Sequence, residues 1–100
     1  MARVTDPAEL AAAVRAHPGV ARLDGGPFGT VASFLPGRRR IDGVRIGVGD
    51  ELAVVARSGM PLAQLAVELG ELVRRICGPV GVEVTFSDVE VGLGAAATAR

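Results

Sequence analysis

Four arginines fall within eleven residues, GRRRIDGVRIG from Gly37 to Gly47. Guanidinium groups at this density can fork onto phosphate or carboxylate oxygens, so Arg38, Arg39, Arg40 and Arg45 are candidate anion-binding or partner-binding residues. Asp42 offsets part of their charge. The other reactive groups are isolated. His17 is the single histidine and Cys77 the single cysteine, so one chain can form neither a multi-cysteine zinc site nor an internal disulfide. Asp42, Asp50 and Glu51 gather near glycines without the ligand spacing of a cation loop and read as solvated turn residues. Gly25-Gly26-Pro27-Phe28-Gly29 lacks the Lys-Ser/Thr of a phosphate loop and leads into no helix, so it reads as a turn. No nucleophile, base and orienting acid form a pattern. The chain therefore reads as non-enzymatic, with no catalytic residue, cofactor or metal ligand expected.

The charge balance narrows the partner. Eleven basic residues, all arginine, meet eleven acids for a formal net charge of zero. Nucleic-acid binders carry a basic excess, which argues against that class and leaves nucleic-acid binding through Arg38, Arg39, Arg40, Arg45 and Arg57 as the alternative reading. No aromatic residue is interleaved with the arginines to stack on a base. A protein partner fits a neutral chain better, and a homo-oligomer is a second expectation. The 100 residues make one domain by size. With three phenylalanines and neither Trp nor Tyr, its core must be aliphatic. MARVTDPAEL has no apolar stretch behind its first arginine, and no run reaches the length of a membrane span. A cytoplasmic chain is the expectation, meeting a membrane only through a partner.

The elements that must position these groups follow from periodicity and turn residues. Asp6, Pro7 and Glu9 form a helix start. The helix is expected from about Pro7 to His17, with Leu10, Val14 and His17 on one line and Pro18-Gly19 ending it. His17 would then interact with the last carbonyls of that helix. Strand-like stretches follow at Val20 to Leu23, Thr30 to Leu35, Val44 to Val48 and Leu52 to Arg57, separated by glycine turns, and a meander is expected. From Pro61 to Cys77, Leu62, Leu65, Ala66, Leu69, Leu72, Val73 and Ile76 recur at helical spacing, with Gln64, Glu68, Glu71 and Arg75 opposite. Burying its large aliphatics at about 1.5 to 3 kcal/mol each outweighs the roughly 0.3 kcal/mol of a Glu71 to Arg75 pair. Cys77, at the flank of that stripe, reads as a buried structural thiol. Val82, Val84 and Phe86 alternate with polar residues in a last strand.

Register decides which side the arginines take. A two-residue Gly49-Asp50 turn would split the aliphatics of the two strands between faces. A three-residue loop, Gly49 to Glu51, puts Val44, Ile46, Val48, Leu52, Val54 and Ala56 on one face. The second is preferred, because burying those side chains outweighs the turn preference. Arg45 and Arg57 then share the opposite face with Ala53 and Val55.

The expected fold is α+β: a two-layer sandwich with a mixed or mainly antiparallel sheet of four to five strands and two helices on one face. The domain is expected over residues 1–91, with 92–100 as a flexible tail. The partner surface is expected on the exposed sheet face and arginine loop, at Arg38, Arg39, Arg40, Arg45, Val55 and Arg57.

ELAVVARSGMPLAQLAVELGELVRRICG followed by VEVTFSDVEV resembles the alkaline-shock protein family, the Gls-type envelope stress response proteins of bacteria. That family has a hydrophobic strand ending in Tyr-Gly, a Pro-Leu-like helix start, a long amphipathic helix and a last strand V-N-V-x-V-x-D-V. Here Ser58-Gly59 stands for Tyr-Gly. Val82, Val84, Phe86, Asp88 and Val89 match the last strand, with Glu83 in place of Asn. His17-Pro18-Gly19-Val20-Ala21 is similar to the family's V-P-G-V-A. The resemblance covers about Pro7 to Val91 and implies a small non-enzymatic cytosolic protein, often held near a membrane by an anchored partner and prone to self-association. The same element order is also similar to small metal-cluster assembly domains, whose cysteine ligands reduce here to Cys77.

Overall fold

Asp6 accepts the Ala8 N–H at 2.9 Å and Pro7 fills the first helical position, which together start α1 (Pro7–Arg15). The helix buries Leu10, Ala11 and Val14. In the computed structural model, residues 6–26, 28–47 and 49–91 are described. The expected 92–100 tail and the position of Val48 lie outside them. After α1 come β1 (Val20–Leu23), β2 (Ala32–Leu35), β3 (Arg39–Asp42), β4 (Val44–Arg45), β5 (Asp50–Arg57), α2 (Leu62–Cys77) and β6 (Val82–Glu90).

The sheet is not the expected meander. β5 is its axis: β6 runs parallel to it along Asp50 to Arg57, while β1 and β4 pair antiparallel with it and divide its other edge. β1 takes Val54 to Ala56 and β4 takes Glu51 and Leu52. The handover falls at Ala53, whose N–H donates to the Gly43 carbonyl at 2.9 Å and whose carbonyl accepts the Asp24 N–H at 3.0 Å. Residues 24–43 are thus an insertion between two strands that share one edge. Within it β2 and β3 form a separate two-stranded hairpin. The β3 strand was not expected, because a run of arginines has no apolar alternation.

This division corrects the β4–β5 register while keeping its parity. A Gly49 to Glu51 loop would set Val44 opposite Ala56; instead Val44 lies opposite Leu52, because β1 already occupies the far half of β5. The shift is even, so Val44, Leu52, Val54 and Ala56 still face the same way. They join Leu10, Val14, Val20, Leu65, Leu69 and Val73 in one fully enclosed cluster, which places both helices on one face of a mixed four-stranded sheet. The α+β two-layer expectation holds.

The face that α2 buries is rotated from the expected stripe. Leu65, Leu69, Gly70, Val73 and Cys77 are buried, Leu72 and Ile76 are half-buried, and Leu62 stays 38% exposed. A Cβ on Gly19 would come within 2.9 Å of Leu65 Cδ1, so a larger residue at the Pro18-Gly19 corner would have to displace the enclosed Leu65 side chain. No described helix is long and apolar enough to cross a membrane.

Candidate interaction surfaces

The outer sheet face, expected to be open, is covered at its centre. Ala53 and Val55 point away from the helices, yet they are 0% and 2% exposed. Gly26 and Val31 of the inserted segment lie over Ala53: a Cβ on Gly26 would sit 3.8 Å from the Ala53 Cβ and 3.3 Å from Val31 Cγ2. Arg22 is in register with Val55, and its guanidinium ion-pairs with Glu90 of β6, so the pair crosses the outer side of β5. Val55 is therefore not an available contact residue. Bulges in β1 beside Ala21 and in β6 beside Ser87 flank it and let both strands turn a charged residue outward there.

Arg45 and Arg57 do share this face, but they do not converge. Arg45 is opposite Glu51 and ion-pairs with it. Arg57 donates through Nε to the Val20 carbonyl at 3.3 Å. Six strand positions, about 20 Å at 3.3 Å per residue, separate Arg57 from Glu51.

The arginine run itself lies on the β2–β3 hairpin, and pairing gives each arginine a different setting. Arg40 is in register with Phe34 and its Cζ stands 5.4 Å from the centre of that ring, within cation–π range. Arg40 Nε donates to Asp42 Oδ1 at 2.5 Å and its Nη2 to the Gly29 carbonyl at 2.7 Å. Arg39 is opposite Leu35 and so points to the other side of the ribbon. Arg38 occupies the turn at φ 62°, next to Gly37 at φ 80°. A non-glycine side chain in this left-handed region is disfavoured by about 1 to 2 kcal/mol. Neither Arg38 nor Arg39 has an ion pair among the described residues. Phe34 is 74% exposed and Phe28, on the loop that leads to the hairpin, is 87% exposed. No aromatic lies between the arginines along the sequence; the hairpin brings Phe34 beside Arg40 across strands.

A second surface is the edge of β6. This nine-residue strand pairs with β5 alone, leaving the backbone groups of its other edge without a strand among the described residues. Val89 and Val91 are exposed at its end. Glu83 and Asp88 lie exposed along it without an arginine partner among the described residues.

The isolated groups have structural settings. Cys77 is buried against the helix–sheet core, as expected. His17 lies beyond the end of α1 and does not cap its carbonyls with its ring. Nδ1 accepts the Gly19 N–H at 2.9 Å, which makes Nε2 the protonated nitrogen, and Nε2 donates to Glu68 Oε1 at 2.8 Å. Glu68 Oε2 also accepts from the Gln64 amide at 2.9 Å. The Gln64 bond first, and then His17, hold the Glu68 carboxyl below its ordinary value. Asp50, expected on a solvated turn, instead begins β5 at 2% exposure; its Oδ1 accepts the Gly47 N–H at 3.3 Å. Among the described residues no three His, Cys, Asp or Glu side chains group to hold a metal ion. The chain matches no family model, no curated protein and no solved structure.

Proposed function

We propose that this chain is a non-enzymatic protein-interaction module of the alkaline-shock, Gls-type kind, acting in the cytoplasm in an envelope stress setting through a protein partner, including one anchored in a membrane. The observation that carries this reading is the open edge of β6. An extended partner segment can add there as a further strand, with main-chain hydrogen bonds supplying affinity and Val89 and Val91 supplying apolar contact. Glu83 and Asp88 select the partner's charge: a basic strand is favoured, and a second β6 would bring like charges together.

The resemblance of VEVTFSDVEV to the last strand of that family supports the same surface. Its test is native pull-down from the source cytoplasm and membrane fractions, with sizing of the purified chain. Wild type should retain a partner that a Val89→Lys, Val91→Lys double variant loses, both positions being exposed enough to leave folding intact. A strict monomer that retains no partner, or equal capture by the double variant, overturns the reading.

A further inference from the structure

We infer that the tip of the β2–β3 hairpin binds single-stranded nucleic acid, a function separate from partner capture at β6. Three features bear on it. The first is aromatic: the core is aliphatic, while Phe34, one residue before the turn's flanking Leu35, is left 74% exposed. The second is the fixing of Phe34, whose ring is held by Arg40 while Arg40 is itself anchored by Asp42 and the Gly29 carbonyl. Arg40 is thus a positioning residue that sets a ring on the surface, available for a base to stack upon.

The third feature is charge without an internal partner. Arg40 is matched by Asp42, whereas Arg38 and Arg39 have no ion pair among the described residues. Arg38 also holds a left-handed turn position at φ 62° that glycine or asparagine would occupy with less strain. The turn therefore presents a guanidinium where local backbone preference favours a smaller residue.

A stacking ring on one side of the ribbon, the unmatched Arg38 at the turn and the unmatched Arg39 on the other side suit a flexible single strand that bends round the tip, with a base face on the aromatic and phosphates on the arginines. Paired bases in a duplex offer no free face to Phe34. An acidic peptide could occupy the arginines but offers nothing to stack on the ring. The neutral chain lacks a long-range attractive field, so binding is short-range, with Kd within about 1 to 100 micromolar, the usual non-specific range. Two phosphate contacts on a single strand give a slope of log affinity against log salt of about -1.4.

The test is fluorescence anisotropy of the full chain with labelled oligothymidylate of about 16 nucleotides, the upper end of known site sizes. Duplex DNA and polyglutamate serve as parallel probes. Saturable binding to oligothymidylate at about 50 mM salt with the shallow salt slope is expected, weakened about tenfold or more by Phe34→Ala, as loss of one stacked base requires. Arg38→Gly should weaken binding while raising the unfolding midpoint, an opposition that a merely structural arginine cannot produce. A charge-neutral Val89→Ser, Val91→Ser variant should bind like wild type, which separates this site from the β6 edge. Binding to polyglutamate alone, equal binding by Phe34→Ala, or no binding to oligothymidylate overturns the inference.

Discussion

His17 and Glu68 join the turn that follows α1 to the middle of α2: the imidazole Nε2–H donates to the carboxylate at 2.8 Å while Nδ1 accepts the Gly19 N–H. One neutral ring therefore holds both the Pro18-Gly19 corner and the second helix. This tie sits beside the close approach of Gly19 to Leu65, so it fixes the spacing of the two elements where there is least room.

Acid should weaken the tie through Glu68. Its carboxyl is held below the ordinary value of 4.5 by Gln64 and His17, so the folded state favours the charged form. The stabilisation is fully present above pH 4.5 and is lost as pH falls through the depressed folded value. Urea midpoints of wild type and Glu68→Gln, measured from pH 6 to pH 3, should therefore converge as pH decreases.

Gly43 is the node at which the inserted segment returns to β5. It sits at φ 87°, and a Cβ there would fall 2.7 Å from the Leu23 Cβ and 2.8 Å from the Ala53 carbonyl oxygen. Gly43→Ala combines left-handed strain with overpacking and should cost about 2 to 5 kcal/mol. A large drop in the denaturation midpoint checks this.

Gly70 should respond in the opposite direction. It is a buried position inside α2, and the atoms nearest an added Cβ belong to the end of the flexible Arg74 side chain, at 3.2 Å. Gly70→Ala should stabilise by about 0.5 to 1 kcal/mol, since alanine loses less backbone entropy in a helix. Melting should shift upward by about 4 to 8 °C per kcal/mol.

The rotation of α2 is testable by contrast. Leu69 is fully enclosed and Leu62 is not. Leu69→Ala should cost about 2 to 5 kcal/mol, whereas Leu62→Ala should stay within about 0.5 kcal/mol. Equal losses would mean that the expected stripe faces the core after all.

Much of the architecture can be read from local pattern, because local pattern caused it. Asp6-Pro7 starts α1, Gly78 ends α2, and the alternation in Val82, Val84 and Phe86 marks β6. Strand parity in β4 and β5 was legible for the same reason: aliphatic burial fixes which residues share a face. Partner choice was not legible, since nothing near Val44 says that β1 will claim the far half of β5. The closure of the outer face has the same origin. Ala53 and Val55 look half-exposed until a glycine-rich segment and a cross-strand ion pair from distant positions cover them. The pairing of Phe34 with Arg40 also depends on a turn through two left-handed residues, Gly37 and Arg38, which the arginine run does not announce.

The central place of β5 also orders how the chain can fold. Of its three pairings, only that with β4 closes a short loop. Pairing with β1 must bridge the inserted segment, and pairing with β6 must wait for α2 between them. Loop-closure entropy favours the β4–β5 hairpin as the first pairing and leaves the parallel pair as a slow, non-local step. A chain cut before Val82 would expose the whole β6-facing edge of a strand rich in Val and Ala, a template for pairing with other chains. Such a fragment should aggregate instead of yielding a smaller soluble domain.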